Sequence, residues 1–212
     1  MPHALGDTEG MRSSRSARSL LPLVLAAVLA TTACAGGTSP GAEPTPTSSD
    51  VVGQGTVIQT VDDQAQLCLG AVLESYPPQC TGVPLVGWDW GTVDGQETAA
   101  GTTWGTYAVW GVWDGTTLTV SGAIQLALYD PLPIQDPLLD PANAGTADEG
   151  TLAGVLGRIS DEAPVEVYGA RIDNGYVFVD VLHDDGTVQA WADQQYGAGV
   201  VAVRSLLRDT SE

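Results

Sequence analysis

The stretch that decides the fold is Trp104–Leu128, WGTYAVWGVWDGTTLTVSGAIQLAL. Two runs rich in Val, Thr, Trp and Tyr, Trp104–Trp113 and Thr116–Leu128, flank Asp114-Gly115. Aromatic and β-branched residues fit the pleated, half-buried surface of a strand. Asp-Gly between two such runs is a hairpin signal, because both central residues of a type I′ turn take φ > 0. Upstream, three more strands are predicted: the alternating Thr56–Val61, then Leu67–Leu73 and Val83–Trp88.

Five strands with Gly-rich connections make residues 51–129 an all-β domain. The expected architecture is a small OB-like barrel, with a sandwich as its rival. Gly105, Gly111 and Gly122 suit barrel corners or bulges. Residues 130–147 hold Asp130-Pro131, Pro133, Asp136-Pro137 and Asp140-Pro141. Proline at this density breaks helix and sheet alike, which predicts a semi-extended linker.

Residues 148–208 change character. Leu152, Val155, Leu156 and Ile159 keep helical spacing behind Asp148 as N-cap. Val165–Ile172 and Tyr176–Leu182 form a hairpin around Asp173-Asn174-Gly175. A second helix starts at Asp184-Asp185-Gly186, turns Val188, Trp191, Ala192 and Gln195 inward, and stops at Gly197. Val200–Leu207 closes as a strand parallel to its predecessor. Both helices should cover one face of the resulting three-stranded sheet. The order αββαβ is similar to that of BON-type modules of bacterial envelope proteins. The whole chain is thus expected to be α+β.

The N-terminus carries an address. Arg12, Arg15 and Arg18 precede an apolar run, Leu20–Ala30, and then Thr31-Thr32-Ala33-Cys34. A basic start, a short apolar stretch and small residues describe a secretory signal peptide. The run is shorter than the ~20 apolar residues of a spanning helix. Cys34 directly after the small residues resembles the lipobox of bacterial lipoproteins, although Thr31 stands where that family usually has an aliphatic residue. The resemblance implies cleavage after residue 33 and lipid on Cys34, and hence a cell-membrane anchor on the extracytoplasmic face. Met11 reads as a better start than Met1, because Asp7 and Glu9 spoil a positive region. Residues 34–50, rich in Gly, Pro, Ser and Thr, form a tether.

Cysteine usage supports export independently. With Cys34 set aside, Cys68 and Cys80 remain, and an even remainder in an exported chain predicts a disulfide. The alternative is two buried thiols.

Composition excludes more chemistry than it provides. The 212 residues carry 7 basic and 26 acidic side chains, a formal charge of −19, and every basic residue is Arg. Such a surface repels nucleic acid and anionic headgroups. The absence of Lys removes a P-loop, a Schiff base and a Lys-activated Ser. The Lys-free usage, rich in Ala, Gly, Val and Asp, points by composition to a high-GC bacterium, and if so to a cell of the actinobacterial kind. Beyond residue 33 only His183 remains, too few ligands for a zinc site, so no metal and no cofactor is expected. His183 precedes Asp184-Asp185, which reads as a base or half a metal site; helix capping is the simpler account. The acids cluster in Asp-Gly and Asp-Pro turns whose geometry needs no calcium.

Trp88, Trp90, Trp104, Trp110 and Trp113 crowd one region. Their rings either fill the barrel core or form an exposed platform for a sugar or protein partner. Trp88-Asp89-Trp90 alternates, which would turn both rings to one side of a strand. The functional expectation is a lipid-anchored, non-enzymatic envelope protein acting as a binding module for an unidentified envelope protein or glycan. The alternative is a cell-wall glycan binder or hydrolase with paired carboxylates near the Trp-rich stretch.

Overall fold

The computed structural model describes residues 49–130 and 136–210; the predicted leader, Cys34 and the tether up to residue 48 lie outside the described residues. β1 (Ser49–Thr60) and β5 (Thr102–Trp113) pair antiparallel along their whole length, from Ser49 opposite Trp113 to Thr60 opposite Thr102. β1 therefore begins two residues inside the predicted tether. Its other edge takes β2 (Gln66–Cys68), with Val57 opposite Leu67. β2 pairs with β3 (Val83–Val86), β3 runs parallel to β6 (Leu118–Gln125), and β6 pairs antiparallel with β5. The pairings β1–β2–β3–β6–β5–β1 close a five-stranded ring. A short strand the sequence did not announce, β4 (Glu97–Ala99), extends the sheet beside Thr102–Trp104.

The ring is filled from alternate positions, as a pleat requires. Val51, Val57, Leu67, Leu85, Tyr107, Val109, Trp113 and Leu118 form its core. Burial of each such side chain stabilises the fold by roughly 1.5–3 kcal/mol. Glycine matters where walls or rings come close. The Tyr107 ring lies over Gly105, 2.7 Å from where a Cβ would sit. At Gly111 a Cβ would collide with the Thr119 carbonyl, and the register shift in the β5–β6 ladder falls between Trp110 and Gly111. The extra residue is Ser121 of β6, between Gly122 opposite Trp110 and Val120 opposite Gly111, so two of the glycines expected at corners or bulges flank the irregularity.

Several boundaries differ from expectation for local reasons. β3 ends at Val86 because Gly87 takes φ 79°, so Trp88 and Trp90 stand on a loop rather than on a strand. The Asp89 carboxylate there accepts from Gly91 N at 2.8 Å and starts a 3-10 turn over Trp90–Thr92. β2 stops at Cys68, where the disulfide to Cys80 begins. Asp114-Gly115 does not make a two-residue type I′ turn. The Asp114 carboxylate accepts from the amides of Thr116 and Thr117 at 2.8 and 2.7 Å and from both hydroxyls at 2.9 Å, closing a four-residue loop. Gly115, at φ 95°, supplies the left-handed position.

Residues 131–135 of the predicted connector lie outside the described residues; from Asp136 to Asn143 it forms turns rather than a semi-extended segment. Asp136 and Asp140, each followed by Pro, accept from Leu138 N and Ala142 N at 2.9 Å and begin two 3-10 turns. Aspartate as cap with Pro at the first position favours such starts. Asn174 then donates to the carbonyls of Leu138 and Asp140, at 2.7 and 2.8 Å, fastening the connector to the next hairpin.

That hairpin joins β7 (Val167–Asp173) to β8 (Tyr176–Val181) where the sequence placed it; the turn itself is the two residues Asn174-Gly175, both at positive φ, with Asp173 paired to Tyr176. α1 (Glu149–Leu156) is capped by Asp148, which accepts from Thr151 N at 3.0 Å. The chain breaks at Gly157, so Ile159 opens a separate short helix, α2 (Ile159–Glu162). α3 (Thr187–Tyr196) buries Val188 and Ala192 and ends at Gly197; Gln195, expected inward, is exposed. β9 (Val201–Ser205) runs parallel to β8, as the crossover requires. Leu152, Val155, Val188 and Ala192 cover Val177, Val179, Val181 and Val201 on one sheet face. The molecule is thus of mixed helix and sheet, dominated by strands. The chain then returns: Leu207 enters the barrel core and β10 (Arg208–Asp209) pairs with Val51 and Val52 of β1.

Candidate functional site

On β2, Leu67 turns into the barrel and Gln66 and Cys68 face outward. The register places Gln66 opposite Ile58 of β1, and Thr60 opposite Thr102 of β5. The loop after Cys68 is drawn back over this outer wall by the Cys68–Cys80 disulfide, whose Cα atoms are 6.2 Å apart. Between wall and loop lies an open groove of about 400 Å³. Ile58, Thr60, Asp63, Gln64, Gln66 and Thr102 line one side, and Pro77, Pro78, Gln79 and Cys80 the other.

Each glutamine here has one end tied to the framework. Gln64 Nε2 donates to the Leu85 carbonyl at 2.9 Å, Gln66 Oε1 accepts from Gly82 N at 3.1 Å, and Gln79 Nε2 donates to Ser75 Oγ at 3.3 Å. Their other ends, carbonyl oxygens at 64 and 79 and an amide NH₂ at 66, have no partner among the described residues. Asp63, the one carboxylate of the lining, is engaged by the Thr60 hydroxyl. Tyr76, next in the chain to Pro77, is 73% exposed and stands edge-on to Trp104 at 5.2 Å.

The five tryptophans predicted as a face are dispersed. Trp88 and Trp90 pack together at 5.2 Å, and both meet Tyr107 in the barrel core. Trp90 Nε1 donates to Gln59 Oε1 at 2.6 Å. Trp88 Nε1 is buried without a partner among the described residues. Trp104 is buried with Ile58 and Cys68 under the disulfide loop, Trp113 lies in the barrel core, and half-buried Trp110 packs against Tyr129. Sequence reading missed Gln64, Gln66, Gln79 and Tyr76. The available signal was period two around Leu67, which puts its polar neighbours on the other face.

His183 is 12% exposed, and its Nε2 lies 3.3 Å from Asp209 Oδ1. Asp184 accepts from Gly186 N, Val188 N and Gln189 N at 3.0, 2.8 and 3.1 Å. Asp185 accepts from Thr187 N at 3.1 Å, and bonds from Thr187 hold its carboxyl below the usual range. Both acids thus bond amides at the start of α3, whose N-cap position is Gly186. They line a cleft of about 780 Å³ with Asp136, Arg204, Arg208 and Asp209, where Arg204 pairs with Asp136. No group of three or more His, Cys, Asp or Glu suited to a metal ion occurs among the described residues. Burial, then the nearby Asp94, pushes the Tyr107 hydroxyl up, and it donates to the Asp94 carbonyl at 3.0 Å.

No helix among the described residues is long and apolar enough to cross a membrane. No family model, curated protein or solved structure matches the chain.

Proposed function

We propose that this protein is a lipid-anchored, non-catalytic envelope lipoprotein that presents a binding module outside the cytoplasmic membrane. The anchor reading rests on Arg12–Arg18, the apolar run Leu20–Ala30 and the small residues ahead of Cys34. Lipid on Cys34 would supply the attachment that an acidic surface lacks, and more than one acyl chain is needed for stable anchoring. The disulfide is in keeping with an oxidising compartment. The barrel is read as OB-like, with two neighbouring strands parallel where its ring closes. The C-terminal portion is read as similar to BON-type modules on element order, with α1 and α2 standing where one helix was expected.

The observation that carries the binding role is the groove beside the disulfide loop. It gathers three amides with open hydrogen-bonding ends beside the apolar surfaces of Ile58, Pro77 and Pro78. Its partner is an envelope glycan or protein, not nucleic acid.

Two measurements test this. Intact mass of the protein from the membrane fraction should show a diacylglyceryl-modified Cys34, and Cys34→Ser should move the protein out of that fraction. Retention of the full chain on its own isolated envelope should fall for Tyr76→Ala. An unmodified Cys34 sinks the anchor, and undiminished retention by Tyr76→Ala sinks the groove as the binding face.

A further inference from the structure

We propose that the groove between β2 and the disulfide loop binds a neutral saccharide, with Gln64, Gln66 and Gln79 meeting its hydroxyl and acetamido groups and Tyr76 stacking on a pyranose ring. This rests on the binding-module reading and names its ligand class.

The first argument is hydrogen-bond inventory. Framework bonds to Leu85, Gly82 and Ser75 leave two acceptors, at Gln64 and Gln79, and a two-proton donor, at Gln66. Thr102, only 7% exposed, adds a hydroxyl without a partner among the described residues. A sugar hydroxyl both donates and accepts, and an acetamido group offers N–H and C=O together. Mixed donors and acceptors on one wall match that chemistry. Because each amide is already oriented at its tied end, less rotamer freedom is lost on binding.

The second argument is charge. Of the four arginines at positions 158, 171, 204 and 208, none lines the groove. Phosphate and sulfate are ordinarily held by Arg or Lys. The one ionisable lining group, Asp63, disfavours an anionic ligand and is already engaged by Thr60. A neutral ligand meets neither obstacle.

The third argument is shape. Ile58, Pro77 and Pro78 supply apolar surface for the C–H face of a ring. The volume of about 400 Å³ falls in the range of small-ligand sites, about 300–1,000 Å³. Tyr76 is not itself in the lining, but it precedes the lining residue Pro77 and stands exposed and edge-on to Trp104, which is paired with the lining residue Ile58.

The test uses the full-length chain in detergent, titrated separately with tetra-N-acetylchitotetraose, maltotetraose and glucose 6-phosphate. The expected result is movement of the glutamine side-chain amide resonances by at least one neutral sugar, with Kd of about 1 mM, a weak-site affinity. Tyr76→Ala and Gln79→Ala, both at exposed positions that tolerate substitution, should weaken binding roughly tenfold, about 1.4 kcal/mol. Leu128→Ala, exposed elsewhere, should bind as wild type. The proposal is overturned if neither neutral sugar moves these resonances at about 20 mM, if both groove variants bind undiminished, or if the phosphorylated sugar binds more tightly. Failure with the sugars alongside Tyr76-dependent retention on the native envelope removes the saccharide and leaves the binding module standing. Failure of both removes the binding face altogether.

Discussion

Val51 in the first strand of the barrel stands directly opposite Asp209 in the last strand of the chain. Leu207, just before that last strand, is fully buried, and its Cδ2 lies 2.8 Å from where a Cβ on Gly53 would sit. The end of the αββαβ segment is therefore part of the barrel wall. Leu207→Ala should cost roughly 2–5 kcal/mol, the usual range for a fully buried leucine. Urea unfolding followed by tryptophan emission and by far-ultraviolet circular dichroism should shift together. Separate shifts for the two signals would show that the barrel does not depend on the chain's return.

The disulfide has a predictable thermodynamic weight. Cys68 and Cys80 are 12 residues apart. Loop-closure entropy for a loop near ~15 residues gives roughly 3 kcal/mol. The Cys68→Ser, Cys80→Ser double variant should lose about that much stability in denaturant unfolding. It should also lose the groove, because Gln79 and Pro77–Pro78 hang on the loop that the bond closes. Unchanged stability would show that the cross-link contributes nothing through the unfolded chain's entropy.

Much of the architecture was legible in local signals, and the exceptions are physical. Asp148 caps its helix and Asn174-Gly175 turns its hairpin because both act within a few residues. Ring closure by β1 and β5, and the insertion of Leu207, depend on contacts far apart in sequence that no local pattern encodes. The strand expected to reach Trp88 fell short for a different reason. Alternation at Trp88-Asp89-Trp90 has the period of a strand, but Gly87 at φ 79° ends the strand first. The groove stayed hidden because glutamines are common on surfaces, and only the disulfide loop brings Gln79 against Gln64 and Gln66.

Tryptophan substitutions should separate by location. Trp113 is 6% exposed in the barrel core, so Trp113→Ala should cost about 3–5 kcal/mol. Half-buried Trp110, which packs on Tyr129, should cost less when replaced by Ala. Trp90→Phe keeps the ring contacts and removes the bond to Gln59, which should cost about 0.5–1.5 kcal/mol. Thermal melts of the three variants give the ranking directly. A Trp110→Ala loss equal to that of Trp113→Ala would contradict the inward and outward assignment along β5.

Acid should destabilise the fold through its capping aspartates. Bonds from the Thr116 and Thr117 amides and hydroxyls hold the Asp114 carboxyl well below the carboxylate range; Thr151 does the same for Asp148 and Thr187 for Asp185. A carboxyl lowered in the folded state binds fewer protons there than in the unfolded chain. Its contribution is therefore complete above the unfolded value of about 3.9 and is lost as pH falls through the lowered folded value. The melting temperature should be flat from neutral pH to about 4.5 and fall below that, where these groups take up protons. Asp148→Asn provides the sharp control. Asparagine caps a helix about as well as aspartate, so stability at neutral pH should change little. Its side chain does not titrate, so the acid limb of the variant should be shallower. An acid limb as steep as the wild type's would show that Asp148 is not among the groups that set it.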